Sequence, residues 1–322
     1  MVGSLWPVSG SVEEVIGLLD DWLSQPREPD PLVIETSGST GSAKRVRLSR
    51  RALTASVDAT HARLGGPGPW TLLLPPAYVA GVQVIIRSLR AGHRPDLELT
   101  GRGYLALVPT QLRRLLATDA AALAAYDAVL VGGAHVDPAI RAAAEQQGVR
   151  VIATYGMSET CGGCVYDGRP LAGVSVRIGS DGRVGIKGPI LFDGYDDEPA
   201  DLDDGWFVTD DLGELGPDGR LRILGRADDV VNSGGVKVPA GAVAARLREH
   251  PDVVGAEVLG VPDPEWGERV VAFVEARPVP DLRAWVAERM PRAWAPKQVV
   301  AVTTWPLLPN GKVDRDALRR LA

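Results

Sequence analysis

Cysteine is nearly absent: the 322 residues hold two, in Cys161-Gly162-Gly163-Cys164. A structural zinc site wants four ligands, and neither another cysteine nor a nearby histidine completes the set. The spacing suits a redox dithiol, but no thioredoxin-like sequence surrounds it. Packing of small residues beside a ligand is the expectation. Net positive charge is also lacking. The formal net charge of −6 excludes a general nucleic-acid or anionic-membrane binder, so local cations must hold any anionic ligand. Only five of the 35 basic residues are lysines, at 44, 187, 237, 297 and 312, and an ammonium is not equivalent to a guanidinium toward a phosphoryl group. No apolar run reaches the ~20 residues of a membrane span, and none at the N-terminus has signal-peptide form. A cytoplasmic location is expected. The remainder is ordinary for a globular protein, 45% hydrophobic and 24% charged, and long enough for two domains.

The most distinctive stretch is Thr36-Ser37-Gly38-Ser39-Thr40-Gly41-Ser42-Ala43-Lys44. It follows Leu32-Val33-Ile34, which reads as a buried strand. Glycines let successive N–H groups turn toward one anion, while hydroxyls and an ammonium add donors. A polyphosphate is the natural guest. The loop is not the Walker pattern, because Ala43 precedes Lys44 and Arg45 follows it. Taken alone it reads equally well as a flexible Gly/Ser turn.

Along the chain, residues 11–24 pattern as an amphipathic helix with Ser11 and Glu14 forming a capping box. Arg45-Val46-Arg47-Leu48 alternates like a strand, and Ser49 caps a helix through Leu64. A strand ends at Pro75-Pro76, and a helix runs from Ala77-Tyr78-Val79-Ala80-Gly81 to about Arg90. A βαβ rhythm follows. The strand 104–108 leads to a helix capped by Thr110, the strand 128–131 to a helix from Pro138, and the strand 149–153 to Thr154-Tyr155-Gly156. In open α/β sheets ligands sit beyond the carboxyl ends of strands, where both Gly132-Gly133-Ala134 and Thr154-Tyr155-Gly156 are expected. From 174 to about 223, short alternating strands with Asp-Gly turns read as a β subdomain. A further unit of plausible domain size follows.

The first loop closely resembles the signature of the acyl-adenylate-forming (AMP-binding) enzymes, Thr-Ser-Gly-Ser-Thr-Gly-x-Pro-Lys, with Ala43 replacing the proline. Tyr155-Gly156-Met157-Ser158-Glu159 resembles that family's Tyr-Gly-x-Thr/Ser-Glu motif. Trp206-Phe207-Val208-Thr209-Asp210-Asp211 resembles its Trp-Phe-x-Thr-Gly-Asp, with Asp210 in place of glycine. Gly225-Arg226-Ala227-Asp228 resembles its interdomain junction, and the string around Gly311-Lys312 its C-terminal lysine segment. Residues 161–171 look most like the short bacterial o-succinylbenzoate–CoA ligases of menaquinone biosynthesis. Only 35 residues precede Thr36, whereas many relatives carry a far longer stretch, and the short ligases share this trimming.

The resemblance implies an α/β fold: a large N-terminal domain over 1–225, trimmed at its N-terminus, with a β subdomain at about 172–225. A small mobile C-terminal α+β domain covers 226–322. It implies adenylation of a carboxylate by ATP with release of pyrophosphate, then transfer of the acyl group to coenzyme A, with o-succinylbenzoate as the expected acid. Thr36, Ser37, Gly38, Ser39, Thr40, Gly41 and Lys44 would cradle the β- and γ-phosphates, and Glu159 would hold Mg²⁺. Gly132, Gly133, Ala134, Thr154, Tyr155, Gly156, Met157 and Ser158 would surround the adenosine; Asp211 would take the ribose hydroxyls and Arg226 a ribose or phosphate contact. Lys312 would act in adenylation with Lys44 and Glu159. Rotation about Asp228 would then withdraw it and present Gly234, Gly235 and Lys237 to coenzyme A.

Tyr78, where many relatives carry histidine, would line the acyl pocket with Gly81. Arg87 is the candidate partner for a second substrate carboxylate, although it reads equally well as an exposed helix arginine. Asp210 brings an extra carboxylate that could repel nearby phosphates. A homodimer could cover surface left bare by the trimming. Another aryl- or acyl-CoA ligase and a catalytically silent nucleotide-binding regulator are the alternatives.

Overall fold

The computed structural model describes residues 6–36, 44–196, 198–227, 229–276, 278–308 and 313–322. The expected positions Ser37, Gly38, Ser39, Thr40, Gly41, Asp228 and Lys312 lie outside the described residues. The chain divides into two compact units, residues 1–177 with 185–208, and residues 178–184 with 209–322.

The first unit holds two sheets among the described residues. One runs in the order Trp70–Leu72, Tyr104–Leu107, Ala128–Val131, Val151–Met157, Gly162–Tyr166 and Arg169–Pro170. Its first four strands are parallel and the last two pairings antiparallel. The parallel strands Tyr104–Leu107 and Ala128–Val131 are wholly buried, as apolar runs covered on both faces must be. Leu105, Leu107, Leu112, Leu123, Val129 and Val151 form the core there, each worth about 2 kcal/mol of burial. Helices Arg50–Leu64 and Val79–Arg90 pack on each other and on Gly162–Tyr166. The second sheet joins Trp6–Pro7, Leu32–Glu35, Arg45–Leu48, Gly194–Tyr195 and Glu198–Pro199.

Local signals account for most of these boundaries. Ser11 and Glu14 form the expected capping box at the start of Val12–Leu23. Ser49 caps Arg50–Leu64, and Gly65 ends that helix with φ +104, a backbone that only glycine adopts freely. Two expectations are corrected. Thr110 does not cap its helix: Pro109 occupies the first turn, Val108 is the N-cap, and Gln111 Oε1 accepts from the Val108 N–H at 3.0 Å. Proline suits that first position because the amide it lacks would be unpaired anyway. The strand expected to stop at 153 runs to Met157. Its parallel pairing to Ala128–Val131 ends at Ala153, and antiparallel pairing to Gly162–Tyr166 begins at Thr154.

In the second unit, Val236–Pro239, Val230–Ser233, Gly267–Ala276 and Val253–Asp263 form an antiparallel sheet, with Gln298–Ala301 added in parallel beside Gly267–Ala276. Val231, Val238, Val243, Leu247, Val258 and Val270 fill the space between this sheet and helix Ala240–Arg248. Residues 211–215 and 221–226 make a hairpin in the same unit. No helix among the described residues is long and apolar enough to cross a membrane.

Candidate active site

The two ends of the 36–44 stretch pair with each other at its neck. Leu32–Glu35 and Arg45–Leu48 pair antiparallel, with Glu35 opposite Arg45. The Thr36 N–H then donates to the Lys44 carbonyl at 2.8 Å, and the Lys44 N–H to Thr36 Oγ1 at 3.3 Å. On the other edge of Arg45–Leu48 lies Gly194–Tyr195, with Tyr195 opposite Val46. This register lays the Tyr195 ring under the Lys44 ammonium, 5.0 Å from ring centroid to Nζ. The Tyr195 hydroxyl donates to Glu159 Oε1 at 2.7 Å. Lys44 and Glu159 therefore come together on one tyrosine that the sequence reading did not single out. Among the described residues no partner takes the second Glu159 oxygen, and the residue is half-buried. A carboxylate with one oxygen held and one uncommitted is a hard donor that fits a divalent cation.

Thr154, Tyr155, Gly156, Met157, Ser158 and Glu159 are all half-buried along the strand Val151–Met157 and the short turn after it. Two glycines here are required by close approach. A Cβ at Gly132 would meet Thr154 Oγ1 at 2.4 Å, and one at Gly156 would meet the Gly162 carbonyl oxygen at 2.0 Å. Buried Thr160 ties the turn: its Oγ1 accepts from the Met157 N–H at 2.9 Å and lies 2.7 Å from the Gly162 carbonyl. Gly133 has φ +82, so the chain leaves the strand Ala128–Val131 by a turn suited to glycine. Ala134 is exposed.

The helix Val79–Arg90 begins after Tyr78, which is half-buried. Gly81 permits the helix to touch the preceding turn, since a Cβ there would lie 2.1 Å from the Pro75 carbonyl oxygen. Gln83, on the same helix face as Val79 and Arg87, donates to the Cys161 carbonyl at 2.7 Å. Arg87 is not the exposed arginine its helical position allowed. It is 4% exposed, its guanidinium lies 4.9 Å from the Trp70 ring centroid, and it donates to the Tyr166 hydroxyl at 3.4 Å. Tyr166 in turn is hydrogen-bonded to Thr60 at 3.0 Å. Arg87 Nε has no hydrogen-bond partner and no carboxylate pairs with the group among the described residues. Burial pulls its pKa down, opposed by the Tyr166 oxygen. Beside it, burial and then the Arg87 charge depress His61 to about 4. Cys161 and Cys164 are buried free thiols. Burial pushes Cys161 well up and Cys164 to about 12, so neither is a ready thiolate.

In the second unit, Asp211 lies opposite Arg226 on the 211–226 hairpin. Arg226 reaches Asp211 at 3.9 Å and Asp210 at 3.6 Å, while Arg183 holds the other Asp210 oxygen at 2.8 Å. The extra carboxylate is thus paired with two guanidiniums. Gly234 and Gly235, with φ +60 and +80, form the two-residue turn between Val230–Ser233 and Val236–Pro239, and positive φ at both positions suits a tight hairpin. Trp266 packs over Gly234, where a Cβ would come within 2.4 Å of its ring. Lys237 is exposed.

Residues 20–195 match the family described as AMP-binding enzyme, and residues 242–312 match the AMP-binding enzyme C-terminal domain. A probable 2-succinylbenzoate–CoA ligase of Mycobacterium tuberculosis is 43% identical over 90% of this chain and 84% of its own length. The 2-succinylbenzoate–CoA ligase of Salmonella typhimurium is 35% identical over 88% and 67%. Among solved structures, wild-type E. coli MenE with a bound phenylether-linked analogue of OSB-AMS superposes with TM-score 0.74 at 30% identity, covering 92% of this chain and 70% of that one.

Proposed function

The chain belongs to the AMP-binding enzyme family, and we propose that it is an AMP-forming acid–CoA ligase whose acid is o-succinylbenzoate. One observation carries the site reading: an ammonium, Lys44, and a half-buried carboxylate, Glu159, share one tyrosine beside the neck of the 36–44 loop. That pairing suits a polyphosphate that arrives with a divalent ion.

The chemistry begins with two anions that repel. A carboxylate oxygen attacks the α-phosphorus of ATP, the bond to the β-phosphate oxygen breaks, and pyrophosphate leaves. Cations and amide donors fixed in place lower this barrier because they need not reorganise during the reaction. We assign the β- and γ-phosphates to the 36–44 loop and its lysine, and the charge at the α-phosphate to Lys312. Mg²⁺ held by Glu159 would neutralise charge shared between phosphates. Asp211 would accept from the ribose hydroxyls, with Arg226 beside it, and the 132–134 and 154–158 segments would enclose the base. In the second half-reaction the thiol of coenzyme A gives up its proton to water and its sulfur attacks the acyl carbon; the C–S bond forms, the C–O bond to the phosphate breaks and AMP departs. Gly234, Gly235 and Lys237 would face that thiol's carrier after a rotation about Asp228.

Arg87 supports the choice of acid. A guanidinium buried without an anionic partner costs several kcal/mol, a cost that a second carboxylate on the substrate would offset. Tyr78 and Gly81, at the head of the same helix, would line the way in. The test is a panel of carboxylic acids assayed for coenzyme A-dependent AMP release, with Arg87→Met run beside the parent chain. o-Succinylbenzoate should be preferred by the parent, and the preference over benzoate should collapse in the variant. A parent chain that prefers simple benzoic or fatty acids contradicts the assignment.

A further inference from the structure

We infer that Tyr195 is a positioning residue for adenylation, its hydroxyl orienting Glu159 and its ring seating Lys44. The inference rests on the reading that these two residues serve the nucleotide and its metal ion, and it explains how both stay available. Lys44 and Glu159 form no ion pair with each other among the described residues. Were they to meet directly, each would cancel the other, and triphosphate and cation would have to separate them first. The tyrosine presents chemically different ends instead. Its O–H satisfies one carboxylate oxygen at 2.7 Å, and the electron-rich face of its ring attracts the ammonium 5.0 Å away.

The ring is itself held. Phe192 meets it edge-on at 4.9 Å and meets Phe207 at 5.2 Å. The Phe192 N–H donates to the Glu159 carbonyl at 3.0 Å, so the segment carrying the tyrosine is also tied by backbone to the residue it orients. Gly194, at φ +146, allows the strand to come close; a Cβ there would lie 2.0 Å from the Glu198 carbonyl oxygen. Pairing of Tyr195 with Val46 then sets the ring two residues from Lys44 along the neighbouring strand. Each contact fixes the position of the tyrosine between Lys44 and Glu159.

Tyr195→Phe and Tyr195→Leu separate the two roles. Binding of Mn²⁺ in the presence of ATP, followed by electron paramagnetic resonance, should weaken about tenfold in Tyr195→Phe, since a hydrogen bond to a charged group is lost. Affinity for a fluorescent ATP analogue in EDTA should stay within about twofold of the parent, because the ring remains. Tyr195→Leu should weaken both. Thioester formation from supplied acyl-adenylate should be unchanged in both variants, which also reports that they fold. Parent-like Mn²⁺ binding by Tyr195→Phe overturns the hydroxyl's role, and parent-like ATP affinity of Tyr195→Leu overturns the ring's. Glu159→Gln and Lys44→Ala run in parallel. If they are impaired while both tyrosine variants are normal, only this proposal fails; if they too bind normally, the reading of the site fails as well.

Discussion

Asp210 stands where the motif that this segment resembles has glycine, and its effect turns on what it touches. Read from sequence it threatens to repel phosphates; in the structure Arg183 and Arg226 both pair with it. Removing it should therefore change little. Asp210→Gly should alter KM for ATP by less than about twofold, in line with the small worth of exposed ion pairs, whereas Arg226→Ala should raise it about tenfold. A large fall in KM in Asp210→Gly would mean that its charge does reach the nucleotide. His61 gives a second prediction. Its pKa is about 4 in the folded chain against 6.5 as the ordinary value. The unfolded chain takes up a proton there first, so stability is complete above pH 6.5 and declines as pH falls toward 4. The contribution lost by pH 4.5 is about 2 kcal/mol. His61→Gln should flatten that part of the pH dependence of urea unfolding, and an unchanged slope would show that other groups cause it.

The strand Val151–Met157 shows how an element carries the site. It changes partner at 153/154 and continues past the point where its parallel neighbour ends, which brings Tyr155 and Glu159 out of the buried layer. Gly156→Ala should destabilise the fold by roughly 2–3 kcal/mol, because its Cβ would strike backbone that cannot move alone. Gly132→Ala should cost less, about 1 kcal/mol, since Thr154 Oγ1 can rotate away at the expense of its bond to Val131. Urea unfolding followed by tryptophan fluorescence ranks the two, and the opposite ranking would contradict this geometry. Elements fixed by local chemistry were legible in the sequence: the capping box at Ser11, the Ser49 cap, the buried parallel strands. The extension to Met157 was not, because Gly156 reads as a break until its partner strand is known. Thr110 was misplaced because Pro109 competes for the helix start. The motifs brought Lys44 and Glu159 into view, but Tyr195 acquires its meaning from pairing with a strand far away in sequence. The burial of Arg87 was hidden for the same reason, since the residues that cover it, Trp70 and Tyr166, come from separate strands.

At the scale of the whole molecule the proposal divides labour between a fixed nucleotide cradle and a C-terminal lysine needed for one half-reaction only. Lys312→Ala should slow acyl-adenylate formation at least about a hundredfold, as loss of a charge at the transition state does. It should leave thioester formation from supplied acyl-adenylate within about threefold of the parent. Equal loss in both would refute the division. Beneath it lies the simpler claim that an acid is activated on ATP before any thiol takes part. Isotope exchange between pyrophosphate and ATP, measured with Mg²⁺ and without coenzyme A, tests that claim most directly. Exchange should be negligible without acid and should rise steeply on addition of o-succinylbenzoate. Exchange that ignores the acid, or none when the acid is present, would contradict the account.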